Sequence, residues 1–183
     1  MLIILRGTSN SFKSTFAKKY FKNSSIVCLD NIRKELFGNC NYFKEELLVK
    51  NIYSSIINSR LKHGLDVLVD SVNLHHVCIN SFVNMALENN VNYIIISFKR
   101  GIEDTISGSI LRSKLNNKSL VLEKDIRLQS KAYDSNTPLI INKHNKNFFE
   151  FKVKDISSLE GIYDEYKQIR GIIESNETVS RFN

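Results

Sequence analysis

Residues 2–15 read LIILRGTSNSFKST: a short apolar run, Gly7, four polar residues, then Phe12-Lys13-Ser14-Thr15. Phosphate-binding loops follow the pattern Gly-x(4)-Gly-Lys-Ser/Thr between a strand and a helix, and this stretch keeps all of it but the second glycine. Such a loop works because backbone N–H groups and a helix N-terminus point at the anion, the lysine neutralises the β- and γ-phosphates, and the Ser/Thr hydroxyl reaches Mg²⁺. The candidate ATP-binding residues are therefore Gly7, Thr8, Ser9, Asn10, Ser11, Phe12, Lys13, Ser14 and Thr15, with Ser14 also a metal ligand. The second glycine normally adopts a conformation that a bulky side chain resists, and a Phe at positive φ costs about 1–3 kcal/mol. Phe12 therefore strains the loop or reshapes it. The plainer alternative is a polar loop in which Ser11 or Ser14 caps a helix. Its place after the first strand and before an amphipathic helix favours the phosphate loop.

Further strand-like runs lie at 26–29 (IVCL), 65–69 (LDVLV) and 93–98 (YIIISF). Helical patterns separate them at 13–21, at 31–37 running on to about 63 with a break near 38–41, and at 74–89. Continuous apolar strands alternating with helices indicate a parallel sheet covered on both faces, an α/β three-layer fold. After the fourth run, 101–113 reads as a helix carrying Arg112, followed by the polar stretch LNNKS and a second helix near 121–133. That helix-loop-helix, about 101–133, is expected to be a lid. Further on, 139–142 and 148–153 look like strands and 159–174 like a closing helix.

The 183 residues make one domain the natural expectation, since a core of this size buries roughly 70% of the unfolded chain's surface. Apolar residues make up 42% and charged residues 25%, which are globular values, and no apolar run approaches the ~20 residues of a membrane span. No signal-peptide pattern opens the chain, and Cys28, Cys40 and Cys78 have neither even number nor C-x-x-C spacing, so reduced thiols in a cytoplasmic protein are expected. A net charge of +7 favours polyanionic partners such as nucleotides or nucleic acid, or is simply a basic surface.

In a parallel α/β sheet ligands bind beyond the carboxyl ends of the strands, so Asp30 and Asp70 come next. Asp30 ends a strand and Arg33 lies one helical turn later on the same face. That carboxylate could accept a hydroxyl proton while the guanidinium holds a substrate phosphate bidentately. A helix N-cap with a solvated pair is the alternative.

Taken together, the loop at 7–15, the D-x-x-R of Asp30 and Arg33 after a strand, and VDSVNL at 69–74 resemble the kinase domain of phage-type polynucleotide 5′-kinases over roughly residues 2–133. The resemblance implies a P-loop kinase fold and transfer of the ATP γ-phosphate to a 5′-hydroxyl of DNA or RNA, a reaction of nucleic-acid repair. It implies Asp30 as general base, Arg33 on the phosphate beside the acceptor hydroxyl, and Lys13 and Ser14 on ATP and Mg²⁺. Asp70 and Asn73 match a D-x-x-N-L segment, Asp70 on the metal-water shell and Asn73 on the substrate side. Arg112 matches a lid arginine that clamps the transferred phosphoryl group, whereas Leu115 stands where a second arginine is often seen. Lys114 or Lys118 could stand in, without the planar fork of arginine. A small-molecule or nucleotide kinase of the same fold, and a catalytically weakened nucleotide- or nucleic-acid-binding protein, are the other readings. His75-His76 reads as a surface pair, Lys18, Lys19 and Lys22 as a solvated helix face, and Cys28 as core.

Overall fold

The computed structural model of the chain describes residues 1–116 and 120–180, the side chains at 115–116 and 176–180 excepted. Strand β1 (Leu2–Gly7) runs into α1 (Lys13–Tyr20), then β2 (Ile26–Cys28), α2 (Leu29–Phe37) and α3 (Glu46–Lys62). Next come β3 (Val67–Asp70), α4 (His76–Glu88), β4 (Tyr93–Lys99), α5 (Ile102–Asn116), α6 (Glu123–His144), β5 (Phe148–Lys152) and α7 (Ser158–Ser180). The sheet order is β2-β3-β1-β4-β5, and every pairing is parallel.

Parallel strands need both faces covered, and side-chain alternation sorts the apolar residues into two layers. Leu2, Ile4, Val67, Val69 and Ile95 face one way, against Val49, Tyr53 and Ile57 of α3 and Ile79, Val83 and Ala86 of α4. Ile3, Leu5, Leu68, Ile94, Ile96 and Phe98 face the other, against Phe16 and Ala17 of α1 and Leu159, Ile162 and Tyr166 of α7. Because both faces are covered, function is left to the strand ends. Register brings them level: Leu5 pairs with Asp70 and Ile96, and Cys28 with Asp70.

One expected strand is a helix instead. Residues 139–142 lie inside α6, where Ile140 is 1% exposed and packs on the α3–α4 side of the sheet. The β-branched pair and Pro138 mimic a strand start, but burial of Ile126, Tyr133, Ile140 and His144 along one helix face decides the outcome. Pro138 removes the single bond that would reach the Asp134 carbonyl, and the helix continues through it.

The last residues of β1 also carry a buried charge. Arg6 is wholly buried, donating from Nη1 to Ser97 Oγ at 3.0 Å and from Nη2 to the Tyr133 carbonyl at 2.8 Å, with its guanidinium 3.9 Å from the Tyr133 ring centre. Tyr133 in turn donates to Glu150 Oε2 at 2.6 Å. This network ties β1, β4 and β5 to α6 directly behind the loop that follows Arg6. Among the described residues no helix is long and apolar enough to cross a membrane, and Cys28, Cys40 and Cys78 are unpaired.

Candidate active site

The β1–α1 loop needs Gly7. Its φ is +151°, and a Cβ there would lie 2.7 Å from both the Phe98 carbonyl oxygen and Ser11 Oγ. Gly7→Ala is therefore expected to lower the melting temperature by roughly 3–10 °C and to abolish nucleotide binding, as thermal melts and ADP titration would register. Asn10 and Phe12 are the loop's other left-handed residues, at φ 60° and 67°. Phe12, the residue before α1, thus takes the backbone shape of the glycine it replaces. Its ring packs against the aromatic-rich core cluster on the α1–α7 face, and the Arg100 guanidinium sits 4.5 Å from the ring centre.

Lys13 is curled into the loop. Its ammonium donates to the carbonyls of Gly7 (2.8 Å) and Thr8 (2.6 Å) and to Ser11 Oγ (3.1 Å), and it is 6% exposed. Burial pushes its pKa down to about 8; Asp70 draws it back up and the Arg112 charge lowers it further. Around it, Thr8 Oγ1, Asn10 Nδ2 and Arg112 Nε are buried with no hydrogen-bond partner. Buried polar atoms are nearly always satisfied by protein or water, so Thr8 Oγ1 and Asn10 Nδ2 leave two loop groups open to water or a polar ligand. Gln129 of α6 closes the loop from above, its Oε1 accepting from the Ser9 N–H at 2.7 Å.

Ser14 and Thr15 are exposed at the start of α1, and the Ser14 hydroxyl lies near enough to the Asp70 carboxylate to favour its charged form. Asp70 is buried, which raises its pKa, against the pull of Ser14 and of Lys13. One hydroxyl and one carboxylate beside a phosphate loop suit Mg²⁺, which keeps several waters and takes its other oxygens from phosphate. The donor set therefore fits the ion that the loop implies. His75 and His76 gather no such set: His76 is bonded through its N–H and Nδ1 to Asn136 Oδ1, and no group of three or more His, Cys, Asp or Glu forms among the described residues.

Across the edge, β2 delivers Asp30 to the first turn of α2 with its side chain 69% exposed. Arg33 Nη1 donates to Asp30 Oδ1 at 2.7 Å. The rest of Arg33 is engaged too: Nε and Nη2 donate to Glu46 Oε2 (3.0 Å) and Oε1 (2.9 Å), and Phe43 lies under the guanidinium at 4.7 Å. The two-nitrogen edge expected to meet a substrate phosphate is filled by Glu46. Asn73 is buried and left-handed (φ 44°), and its Nδ2 donates to the Leu5 carbonyl at 2.7 Å, tying the loop after β3 to β1. Lys13, Ser14 and Asp70 are thus brought together, Asp30 and Arg33 stand on the next strand end, and Asn73 turns into the sheet.

Arg112 reaches the site from α5, near enough for its charge to lower the Lys13 pKa. The α5–α6 hairpin is fastened by Ser109 Oγ, which donates to the Val121 carbonyl (3.0 Å) and accepts from its N–H (3.1 Å). Lys114 is exposed on α5, while the Leu115 side chain and Lys118 lie outside the described residues. Three participants escape sequence reading: Glu46, Arg100 and Gln129 match no spacing pattern, and only the fold brings them in.

Known proteins resemble this chain in sequence and in fold. The profile of a family described as an AAA domain matches residues 2–134. An L-seryl-tRNA(Sec) kinase of Methanococcus maripaludis is 28% identical over 120 residues, 62% of this chain and 47% of that protein. A chain of the Pnkp1/Rnl/Hen1 RNA repair complex superposes with a TM-score of 0.67 at 19% identity, covering 75% of this chain and 45% of that one. A gluconokinase from Sinorhizobium meliloti 1021 gives 0.55 at 14%, covering 91% of this chain and 95% of that one. The chain thus spans about half the length of the tRNA kinase and of the RNA-repair chain. It belongs to the AAA domain family and has the P-loop kinase fold.

Proposed function

We propose that this member of the AAA domain family is an ATP-dependent phosphotransferase whose acceptor is the 5′-hydroxyl of DNA or RNA. The observation that carries the reading is the Lys13 ammonium seated inside a loop with orphaned polar atoms, at the same sheet edge as the exposed carboxylate of Asp30, which follows β2 on the far side of β3. The ATP phosphates would replace the Gly7 and Thr8 carbonyls as partners of Lys13. Mg²⁺, held by Ser14 and Asp70, would supply neutralisation of the β- and γ-oxygens. Asp30 accepts the proton of the acceptor hydroxyl as its oxygen bonds to the γ-phosphorus. The β–γ bridging P–O bond breaks and ADP leaves with the electron pair. Lys13 and Arg112 offset the charge on the transferring group, which is the larger part of catalysis in phosphoryl transfer. Arg33 orients Asp30, and the whole chain acts as one kinase domain in the cytoplasm with residues 101–133 as its lid.

One observation favours a second reading. With Glu46 filling its fork, Arg33 offers an acceptor phosphate no open bidentate edge, which suits a phosphate-free small molecule such as a nucleoside or sugar. Labelled ATP tested against 5′-hydroxyl oligonucleotides, nucleosides and sugars separates the two. Preference for the oligonucleotide supports the polynucleotide reading, whereas turnover confined to a nucleoside or sugar replaces it. Nucleotide bound but transferred to none of them would leave a binding protein.

Lys13 also sets a pH signature. Its pKa of about 8 in the free protein must rise when a polyphosphate lies against the ammonium, so binding near pH 8.5 takes up protons and binding near pH 6.5 does not. Affinity for ADP is expected to fall as pH rises through about 8. Calorimetry in buffers of different ionisation enthalpy measures the uptake, and pH-independent binding with no proton exchange would contradict it.

A further inference from the structure

We propose that Arg100 is a positioning residue of the phosphate loop, holding Asn10 and Phe12 in the left-handed path that the missing glycine would take unaided. Both residues have positive φ, which Asn tolerates but a bulky aromatic resists, so the path through Phe12 gains from support outside the loop. Arg100, directly after β4, touches both. Its guanidinium stacks on the Phe12 ring at 4.5 Å, and Nη1 donates to the Asn10 carbonyl at 2.7 Å. Between these two contacts lies Ser11, fully buried, whose Oγ accepts from Lys13. Fixing residues 10 and 12 therefore fixes a partner of the loop lysine.

The helix above makes room for this contact. A Cβ on Gly108 of α5 would lie 2.7 Å from Arg100 Nη1, so the glycine, which weakens a helix interior, lets the guanidinium through. Arg112 follows Gly108 by four residues, on the same helix face. Arg100 thus fills the space between the loop and the lid face that carries Arg112. Lysine could not replace it, because the contact uses a flat cation for the ring and a directed N–H for the carbonyl.

The proposal rests on the phosphate-loop reading, but its test does not need turnover. Hydrogen exchange of the amides of residues 8–13 is compared in the parent, Arg100→Ala, Arg100→Lys, Gly108→Ala, Phe12→Gly and the double variant Arg100→Ala/Phe12→Gly, with thermal melts confirming that each is folded. Arg100→Ala and Arg100→Lys should speed loop exchange by about tenfold, the scale of a stacked cation and a hydrogen bond lost together. Gly108→Ala, which forces the flexible end of Arg100 to shift, should speed exchange in the same direction by a smaller factor, which keeps the test available if an Arg100 variant does not fold. In the Phe12→Gly background, Arg100→Ala should change exchange by less than about threefold, since glycine adopts the path on its own. Equal acceleration in both backgrounds, or change within about twofold in folded Arg100→Ala, would overturn the proposal. A parallel ADP titration separates the readings: a parent that binds no ADP sinks the nucleotide reading, while the exchange data still decide the role of Arg100.

Discussion

Lys13→Ala is expected to lower phosphoryl transfer by about 10³-fold or more in a protein that still folds, because the ammonium acts where charge develops in the transition state. Opposing effects keep the stability change small. Removing the side chain leaves the Gly7 and Thr8 carbonyls and Ser11 Oγ without their donor, which costs about 1–3 kcal/mol if no water replaces it. It also removes a buried cation whose lowered pKa records the penalty of its own desolvation. The exposed Ser14 and Thr15 border the loop, so water has a route in. Steady-state kinetics and thermal melts should therefore separate: activity lost, melting temperature within a few degrees. A folded variant with unchanged turnover would remove the loop from the mechanism.

Asp30→Asn should fail differently. The side chain is exposed, its ion pair with Arg33 gives way to a neutral hydrogen bond, and Glu46 still holds that guanidinium, so stability should move by no more than about 1 kcal/mol. The amide keeps size and hydrogen bonding but cannot take the proton, so kcat should fall by about 10²-fold while KM for the acceptor stays within about threefold. A fall in acceptor affinity with kcat preserved would make Asp30 a binding residue instead of the base.

Much of this was legible in the sequence because parallel strands buried on both faces must be continuous apolar runs. LIIL, IVCL, LDVLV and YIIISF therefore announced β1 to β4 to within a residue or two, and the polar residues after each announced the site edge. The tail of α6 was not legible, since Leu139-Ile140-Ile141 has strand-like branching and its helical state is decided by where Ile140 packs. The site divides in the same way. Lys13, Ser14, Asp70 and Arg112 follow from motif order along the chain, and the structure draws them around one loop. Glu46, Arg100 and Gln129 depend on contacts across 13, 90 and 120 residues of sequence, which no local spacing encodes. The missing glycine was visible as a problem in Phe12; Arg100 and Gly108, which surround it, were visible only in three dimensions.

The most direct measurement of the central claim is transfer of label from γ-labelled ATP, with Mg²⁺, to an oligonucleotide bearing a 5′-hydroxyl, followed alongside ADP release. Label is expected on the 5′-terminal phosphate, one per ADP formed, blocked by a pre-existing 5′-phosphate and lost in Lys13→Ala. Folded parent protein that leaves the 5′-hydroxyl unlabelled would contradict it.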